Sequence, residues 1–491
     1  MLQFSITTLG CKVNQYESRS VATKLTRLGL KEANSSEKAD LLVINTCCIT
    51  TTAMRKSRHA IRRAIKRSPD AFVFVMGCYS DYDQQKILQL INDAGIETHH
   101  VRIAAHHGNP AAQLDQIISE VQKDPDALGE SVISVQQVGN IRCGNNVAGE
   151  SLQSKETSIS TDIKDNRLRT IKDKIPGTQL FGTVDKFKKR QRAFVKIQDG
   201  CDAFCSYCIV PFMRPRVWSR TVEDILGECE TLVAAGHREI VLCGVFLGAF
   251  SRETALRNKW QDEPSALPGL IRAVADIKGL WRVRLSSLEP GDVTDELLDI
   301  FANCPTVAPH LHLPLQSGSD EILKRMNRQY SVDDFRRTVK AIRSVIDRPA
   351  ITTDIIVGFP GESDEDFAAT CDLARFAGFS KIHAFPFSPI QPTAAWAWRS
   401  EIPPANMVRD RRKTLATIEA ELAGAYRSQF VGETLEAIVE SPSASGSMRK
   451  AMTDRYMTIE FNDSGTNDLT GKIVHFKITQ TNESSLLGTL E

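Results

Sequence analysis

The chain has 491 residues, 42% of them hydrophobic, and a formal net charge of +1. That length exceeds one ordinary core and predicts two to four domains, while the hydrophobic content excludes a wholly disordered chain. A near-neutral balance excludes nucleic-acid binding through bulk charge, so any such partner must meet a local basic patch.

Met1–Ser18 lacks a charged start followed by a long apolar run, and no stretch reaches the length of a membrane span. The expectation is a cytoplasmic protein with no membrane partner. Twelve cysteines in a reducing compartment point to metal or redox chemistry rather than to a disulfide framework.

In chain order, residues 1–106 alternate strands (Gln3–Leu9, Leu41–Thr46, Ala71–Met76) with helices (Gln15–Leu28, Thr52–Lys66, Gln84–Ala94). This predicts an amino-terminal parallel α/β domain whose ligands gather at the carboxyl ends of the strands. Residues 107–185 hold a helical piece, Ala111–Lys123. The polar stretch Asn145–Lys174 that follows has few large apolar residues, so the segment reads as a linker or insertion, partly flexible. Between residues 186 and 429, six candidate strands alternate with helices: Ala193–Gln198, Glu239–Cys243, Arg282–Ser286, His310–Leu315, Thr352–Val357 and Lys381–Phe385. They predict a central partial (β/α)6 barrel. Ser331 and Ser363, each followed by acids, read as helix caps, and Pro314 weakens the fourth strand because proline cannot donate to a ladder. Residues 430–491 switch to period two (Met457/Ile459/Phe461 and Val474/Phe476/Ile478), which predicts a small carboxy-terminal antiparallel β-barrel.

The strongest chemical signal is Cys201-Asp-Ala-Phe-Cys205-Ser-Tyr-Cys208. Three thiolates in one short loop can hold three irons of a [4Fe–4S] cube, and no fourth cysteine follows at ferredoxin spacing. One iron is then left open to chelate S-adenosylmethionine (SAM). A structural zinc site would want a fourth ligand, and no second cysteine pair lies nearby.

This spacing resembles the radical SAM signature. With Lys196-Ile-Gln-Asp-Gly, Arg284-Leu-Ser-Ser-Leu-Glu-Pro, Leu311-His-Leu-Pro-Leu-Gln-Ser-Gly-Ser and Thr353-Asp-Ile-Ile-Val-Gly-Phe-Pro-Gly-Glu, it resembles the methylthiotransferase branch of that superfamily. The resemblance implies a second [4Fe–4S] cluster on Cys11, Cys47 and Cys78, each of which follows a predicted strand. It implies SAM contacts from Glu289, Gln316, Ser317, Asp354, Gly358 and Gly361, and a carboxy-terminal barrel of the TRAM type. It also implies an electron donor such as a flavodoxin or ferredoxin. Cys48 neighbours a ligand position without being one. Cys143, Cys229, Cys243, Cys304 and Cys371 read as buried or incidental.

Arg55, Arg58, Arg62 and Lys66 fall at helical spacing, with His59 and Arg63 beside them. The pattern fits either a solvated face or a phosphate track leading to Cys47; Arg216 and Arg220 add charge beside the radical cluster. Tyr456 and Phe461 are the barrel's aromatic candidates for stacking on bases. Leu9-Gly-Cys-Lys-Val-Asn-Gln-Tyr-Glu resembles the subfamily acting on N6-threonylcarbamoyladenosine at position 37 of tRNA, in the anticodon loop. The alternatives are isopentenyl adenosine-37, a ribosomal-protein side chain, or a non-catalytic iron–sulfur RNA-binding protein. Pro215 and Gln391-Pro392 depart from the family pattern, which places local pocket geometry in question.

Overall fold

The computed structural model describes residues 2–33, 37–93, 100–105, 110–123, 181–187, 191–260, 263–442, 448–462 and 468–491. The polar stretch Asn145–Lys174, Cys143 and most of the expected linker lie outside these residues.

The amino-terminal sheet contains β1 (Gln3–Thr8), β2 (Lys31–Glu32), β3 (Leu41–Thr46), β4 (Phe72–Gly77) and β5 (Val101–Ile103) in the order β2-β1-β3-β4-β5. Every pairing is parallel. All six residues of β3 are buried, as expected of a strand covered on both faces. Leu42, Ile44, Val73 and Val75 pack under Met54, Ile61 and Ile65 of helix Thr51–Arg67. Leu41, Val43, Phe74 and Met76 point the other way, against Val21 and Leu25 of helix Lys12–Arg27 and Leu114 and Ile117 of helix Pro110–Lys123. The two edge strands, β2 and β5, are two and three residues long. They are too short for a periodic signal, and the sequence reading missed them.

The central unit contains β6 (Arg192–Lys196), the hairpin of β7 (Gln198–Asp199) and β8 (Trp218–Ser219), then β9 (Glu239–Cys243), β10 (Arg282–Leu285), β11 (His310–His312), β12 (Ala350–Val357) and β13 (Lys381–Pro386). Two parallel sheets, β6-β9-β10 and β11-β12-β13, are joined by single bridges, Val283 to Val307 and Ser287 to His312. The series is the six-stranded parallel array expected. β11 stops before Pro314, where proline ends the donor ladder. Ser331 and Ser363 each cap a helix, completing capping boxes with Asp334 and Asp366.

Helix Ala405–Ser428 leads into a closed barrel of β14 (Thr434–Val439), β15 (Arg449–Thr453), β16 (Thr458–Phe461), β17 (Ile473–Thr481) and β18 (Leu486–Leu490). Its pairings are antiparallel except β16 with β18, which runs parallel. Closure therefore departs in one seam from the purely antiparallel expectation. Phe461, Phe476, Ile459 and Ile478 fill its interior.

Buried polar contacts weld these parts. Glu17 of the first unit meets Lys196 at 3.2 Å and Arg214 at 2.8 Å, and both cations also meet Asp199. Tyr16 Oη donates to Glu228, which also binds Arg220. Arg284, fully buried, donates to the carbonyls of Thr453 and Asp454 in the carboxy-terminal barrel.

Candidate functional site

Cys11, Cys47 and Cys78 lie directly beyond β1, β3 and β4, three adjacent strands at the carboxyl end of the sheet. The order reverses between β1 and β3, which is where open parallel sheets bind ligands. Local hydrogen bonds fix each loop. Asn14 Nδ2 donates to the carbonyls of Leu9 and Thr46, tying the first loop to the second. Ser57 Oγ accepts from Cys47 N at 3.1 Å and donates to Cys47 O at 3.0 Å. Gly77, just before Cys78, has φ +95°, and a Cβ there would stand 2.4 Å from Thr46 O, so only glycine fits the approach.

All three cysteines line one cavity of about 420 Å³. Its opposite wall belongs to the central unit and includes Ile209, Val210, Met213, Cys243 and Ser286. Cys47 and Cys78 are buried and Cys11 is exposed. Burial, with Cys78 and Cys11 adding to it, pushes the Cys47 thiol up to about 12. The neighbouring Cys48 is fully buried among Ile44, Val75 and Tyr79.

The loop Cys201–Cys208 follows the β6–β7 segment. Gly200 has φ +78°, and a Cβ there would collide with Arg216 O at 1.7 Å. Cys201 N donates to Arg214 O, Ser206 N to Met326 O, and Asn327 Nδ2 to the carbonyls of Ala203 and Phe204. Arg328 donates to Cys205 Sγ at 3.0 Å and to Tyr207 Oη at 3.4 Å, and pairs with Glu289. Burial pushes Cys208 up to about 12, with Cys205 contributing and Cys78 of the other triad a smaller cause. Ile209 and Val210, directly after Cys208, line the cavity that holds Cys11, Cys47 and Cys78. Among the described residues, no three His, Cys, Asp or Glu side chains converge as for a single metal ion. Thiols are the donor type of iron–sulfur cubes, which spread their ligands over separate corners.

The residues expected around SAM lie at the carboxyl ends of the central strands. Glu289 is buried, bound by Arg328 and by Arg257 at 3.1 Å. Gln316 bridges to β12, donating N–H to Asp354 O and accepting from Ile356 N. Ser317 is buried beside Thr370, and Asp354 meets His312 Nε2 at 3.3 Å. Gly358 and Gly361 have a different rationale from the ligand approach expected. A Cβ at Gly358 would stand 2.5 Å from Val408, and one at Gly361 2.5 Å from Arg325 Nη1. The chain itself fills both spaces.

Of the basic candidates, Arg55, Arg62, Arg63 and Lys66 are exposed on helix Thr51–Arg67, opposite its apolar stripe. Arg58 is half-buried and donates to Tyr79 Oη at 3.2 Å. Arg216 is exposed on an open hollow of about 810 Å³ that includes Trp218 and Arg252. Arg220 borders the same hollow but is buried, and its guanidinium is held by Glu228, Tyr16 Oη and Lys196 O, so the chain itself already supplies its partners. The aromatic candidates are likewise committed to packing. Phe461 lies inside the barrel, and Tyr456 lies under the Arg284 guanidinium at 3.8 Å and meets His310 edge-on, ring centroids 4.6 Å apart. Cys229 and Cys371 are core residues, and Cys304 packs against that core; Cys243 is buried but also lines the cavity. Pro215 is buried, and the Gln391–Pro392 peptide is cis. Sequence reasoning missed Arg328 and Ser57, whose roles depend on contacts across the fold.

Residues 195–374 match the family model described as the radical SAM superfamily, and residues 3–96 match one described as uncharacterized protein family UPF0004. The chain is 32% identical to a threonylcarbamoyladenosine tRNA methylthiotransferase of Chlamydia pneumoniae over 489 residues, covering 99% of this chain and 98% of the relative. It belongs to the radical SAM tRNA methylthiotransferase family. A tRNA-2-methylthio-N(6)-dimethylallyladenosine synthase of Geobacter metallireducens is 30% identical over 491 residues, with 99% and 97% covered. A radical S-adenosylmethionine methyltransferase from Kitasatospora setae, solved with cobalamin and a [4Fe–4S] cluster, superposes with a TM-score of 0.50 at 15% identity, covering 80% of this chain and 74% of that one; this likeness concerns the fold. As a member of the methylthiotransferase family the protein is an enzyme, a transferase using SAM and [4Fe–4S] chemistry. No helix among the described residues is long and apolar enough to cross a membrane.

Proposed function

We propose that this methylthiotransferase acts on C2 of N6-threonylcarbamoyladenosine at position 37 of tRNA. One [4Fe–4S] cluster would be held by Cys201, Cys205 and Cys208, the other by Cys11, Cys47 and Cys78. The observation that carries the reading is the cavity shared by the first unit and the central unit, with Cys11, Cys47 and Cys78 in one wall and the segment just after Cys208 in the other. When bound, the clusters and SAM supply a methylated sulfur and a 5′-deoxyadenosyl radical, the chemistry needed at an aromatic C–H without useful acidity.

The chain's own part is positioning. Asn14, Ser57 and Gly77 hold the first three thiols at the end of their sheet. Arg328 fixes Cys205 and Glu289 together, so a group bound at that loop meets an oriented carboxylate. Val13, Val210, Met213 and Val245 give the cavity apolar walls, which limit the polar groups beside a reactive radical. Glu289, Gln316, Ser317 and Asp354 would orient SAM, with the loop through Gly358 and Gly361 beside them.

The units divide as residues 1–106, 107–185, 186–429 and 430–491, the last serving RNA binding in the manner of a TRAM domain. The exposed cations Arg55, Arg62, Arg63 and Lys66, with Arg216, would guide the anticodon loop to the cavity. A small electron-transfer protein such as a flavodoxin or ferredoxin would supply the electron. The substrate reading rests on the motif around Cys11 and on the relative of threonylcarbamoyl type. Mass spectrometry of tRNA nucleosides with and without the gene tests it. Loss of 2-methylthio-N6-threonylcarbamoyladenosine supports the assignment; loss of the dimethylallyl counterpart, or no change in tRNA, contradicts it.

A further inference from the structure

The shared cavity carries two polar groups that the cluster chemistry does not use. Lys12, next to Cys11, is half-buried and lines it. Its ammonium meets no carboxylate among the described residues. It shares the cavity with Cys243, the last residue of β9, on the facing wall. Ser286, beyond β10, contributes to the opposite wall; it is 7% exposed and its hydroxyl has no hydrogen-bond partner. Ser287 beside it is exposed on the same wall.

The cavity's other cation, Arg214, is neutralised by Glu17 and Asp199. No lining residue is acidic, so apart from the cysteines assigned to the cluster the cavity offers Lys12 no anion. The remainder is largely apolar and suits the faces of a purine. A buried hydroxyl left unpaired costs free energy until something bonds to it. A lone ammonium in a partly dry pocket favours an anion. A purely hydrocarbon substituent would satisfy neither.

We infer that Lys12 and Ser286, with Ser287, are the specificity-determining residues for the substituent on the target adenine: Lys12 pairs with its carboxylate and the serines bond its hydroxyl and carbonyl groups. This rests on the substrate reading above and supplies a physical reason for it. The ligand class is an adenosine carrying an acidic, hydroxylated acyl group on N6.

The test uses the full-length, cluster-loaded protein and one tRNA in three forms: threonylcarbamoylated, dimethylallylated and unmodified at position 37. Equilibrium affinity for each form is measured, with iron content as a check on every variant. The wild type should prefer the threonylcarbamoyl form, and Lys12→Met should lower that preference about tenfold, in line with one charge-assisted hydrogen bond. Ser286→Ala should lower it by a smaller factor, and Lys12→Arg should retain most of it. A preference unchanged in both Lys12→Met and Ser286→Ala overturns the inference and leaves the substrate reading standing. So does a loss common to modified and unmodified tRNA. A wild type that prefers the dimethylallyl form removes the substrate reading itself, and this inference with it.

Discussion

The residues proposed to carry the chemistry were legible in the sequence to different depths. Cys201, Cys205 and Cys208 stand out by spacing alone. Cys11, Cys47 and Cys78 are far apart in sequence, and their proximity depends on three parallel strands ending together. Arg328 left no local signal: it sits in a loop after a short helix, and only the folded chain brings it to Cys205 and Glu289. Arg220 misleads because a basic residue beside a cluster motif looks like a phosphate contact, whereas a long-range partner, Tyr16, and Glu228 claim it. A histidine gives a prediction at this scale. Burial, reinforced by Arg284, Lys12 and His312, holds His310 well below its ordinary 6.5. The folded chain keeps it neutral while the unfolded chain protonates it below that pH. Unfolding therefore takes up a proton on acidification, and His310 stability present above pH 6.5 is lost as the pH falls below it. His237 and His383, also lowered chiefly by burial, act in the same direction. Melting measured at pH 7.5 and 5.5 should show a loss on acidification, and His310→Gln should make that loss smaller.

At the scale of elements, helix Thr51–Arg67 is the clearest case. Its apolar residues Met54, Ile61 and Ile65 recur at helical spacing and bury against the sheet, so the remaining face must be polar. That face carries seven basic residues, Arg55, Lys56, Arg58, Arg62, Arg63, Lys66 and Arg67, with no acid in the helix. The double variant Arg62→Glu with Arg63→Glu should weaken tRNA binding and flatten its dependence on salt, because each phosphate no longer neutralised takes away about one unit of log–log slope. Filter binding across a salt series reads this. An unchanged slope would make the face a solvated surface. The carboxy-terminal barrel was legible from its period of two, but its parallel seam was not, because alternation reports which face is buried and says nothing of strand direction. Nor did the sequence reveal that Tyr456 belongs to the junction with the central unit, where Arg284 and His310 pack on its ring.

At the scale of the molecule, two units present residues beyond their strand ends to one cavity, and the proposed function depends on that arrangement. The junction between them is not left to apolar packing. Glu17, buried, faces Lys196 and Arg214 across the boundary, and Asp199 completes the network. A buried ion pair gives modest net stability, but removing one partner strands the others and costs about 3–5 kcal/mol. Glu17→Ala should therefore lower the melting temperature and speed hydrogen exchange in helix Lys12–Arg27, which carries the cavity residues Lys12, Val13 and Asn14. The sequence carries no sign of this network, since charges distant in the chain bear no mark of pairing. The domain order was visible, because alternation and period survive without tertiary information. The proposed sulfur transfer requires that both cysteine triads be ligands. Iron and acid-labile sulfide measured on anaerobically reconstituted protein test this directly: about eight irons per chain in the wild type, falling to about four when Cys11, Cys47 and Cys78 are all replaced by alanine, is the expected result. About four irons in the wild type, unchanged in that variant, would contradict it.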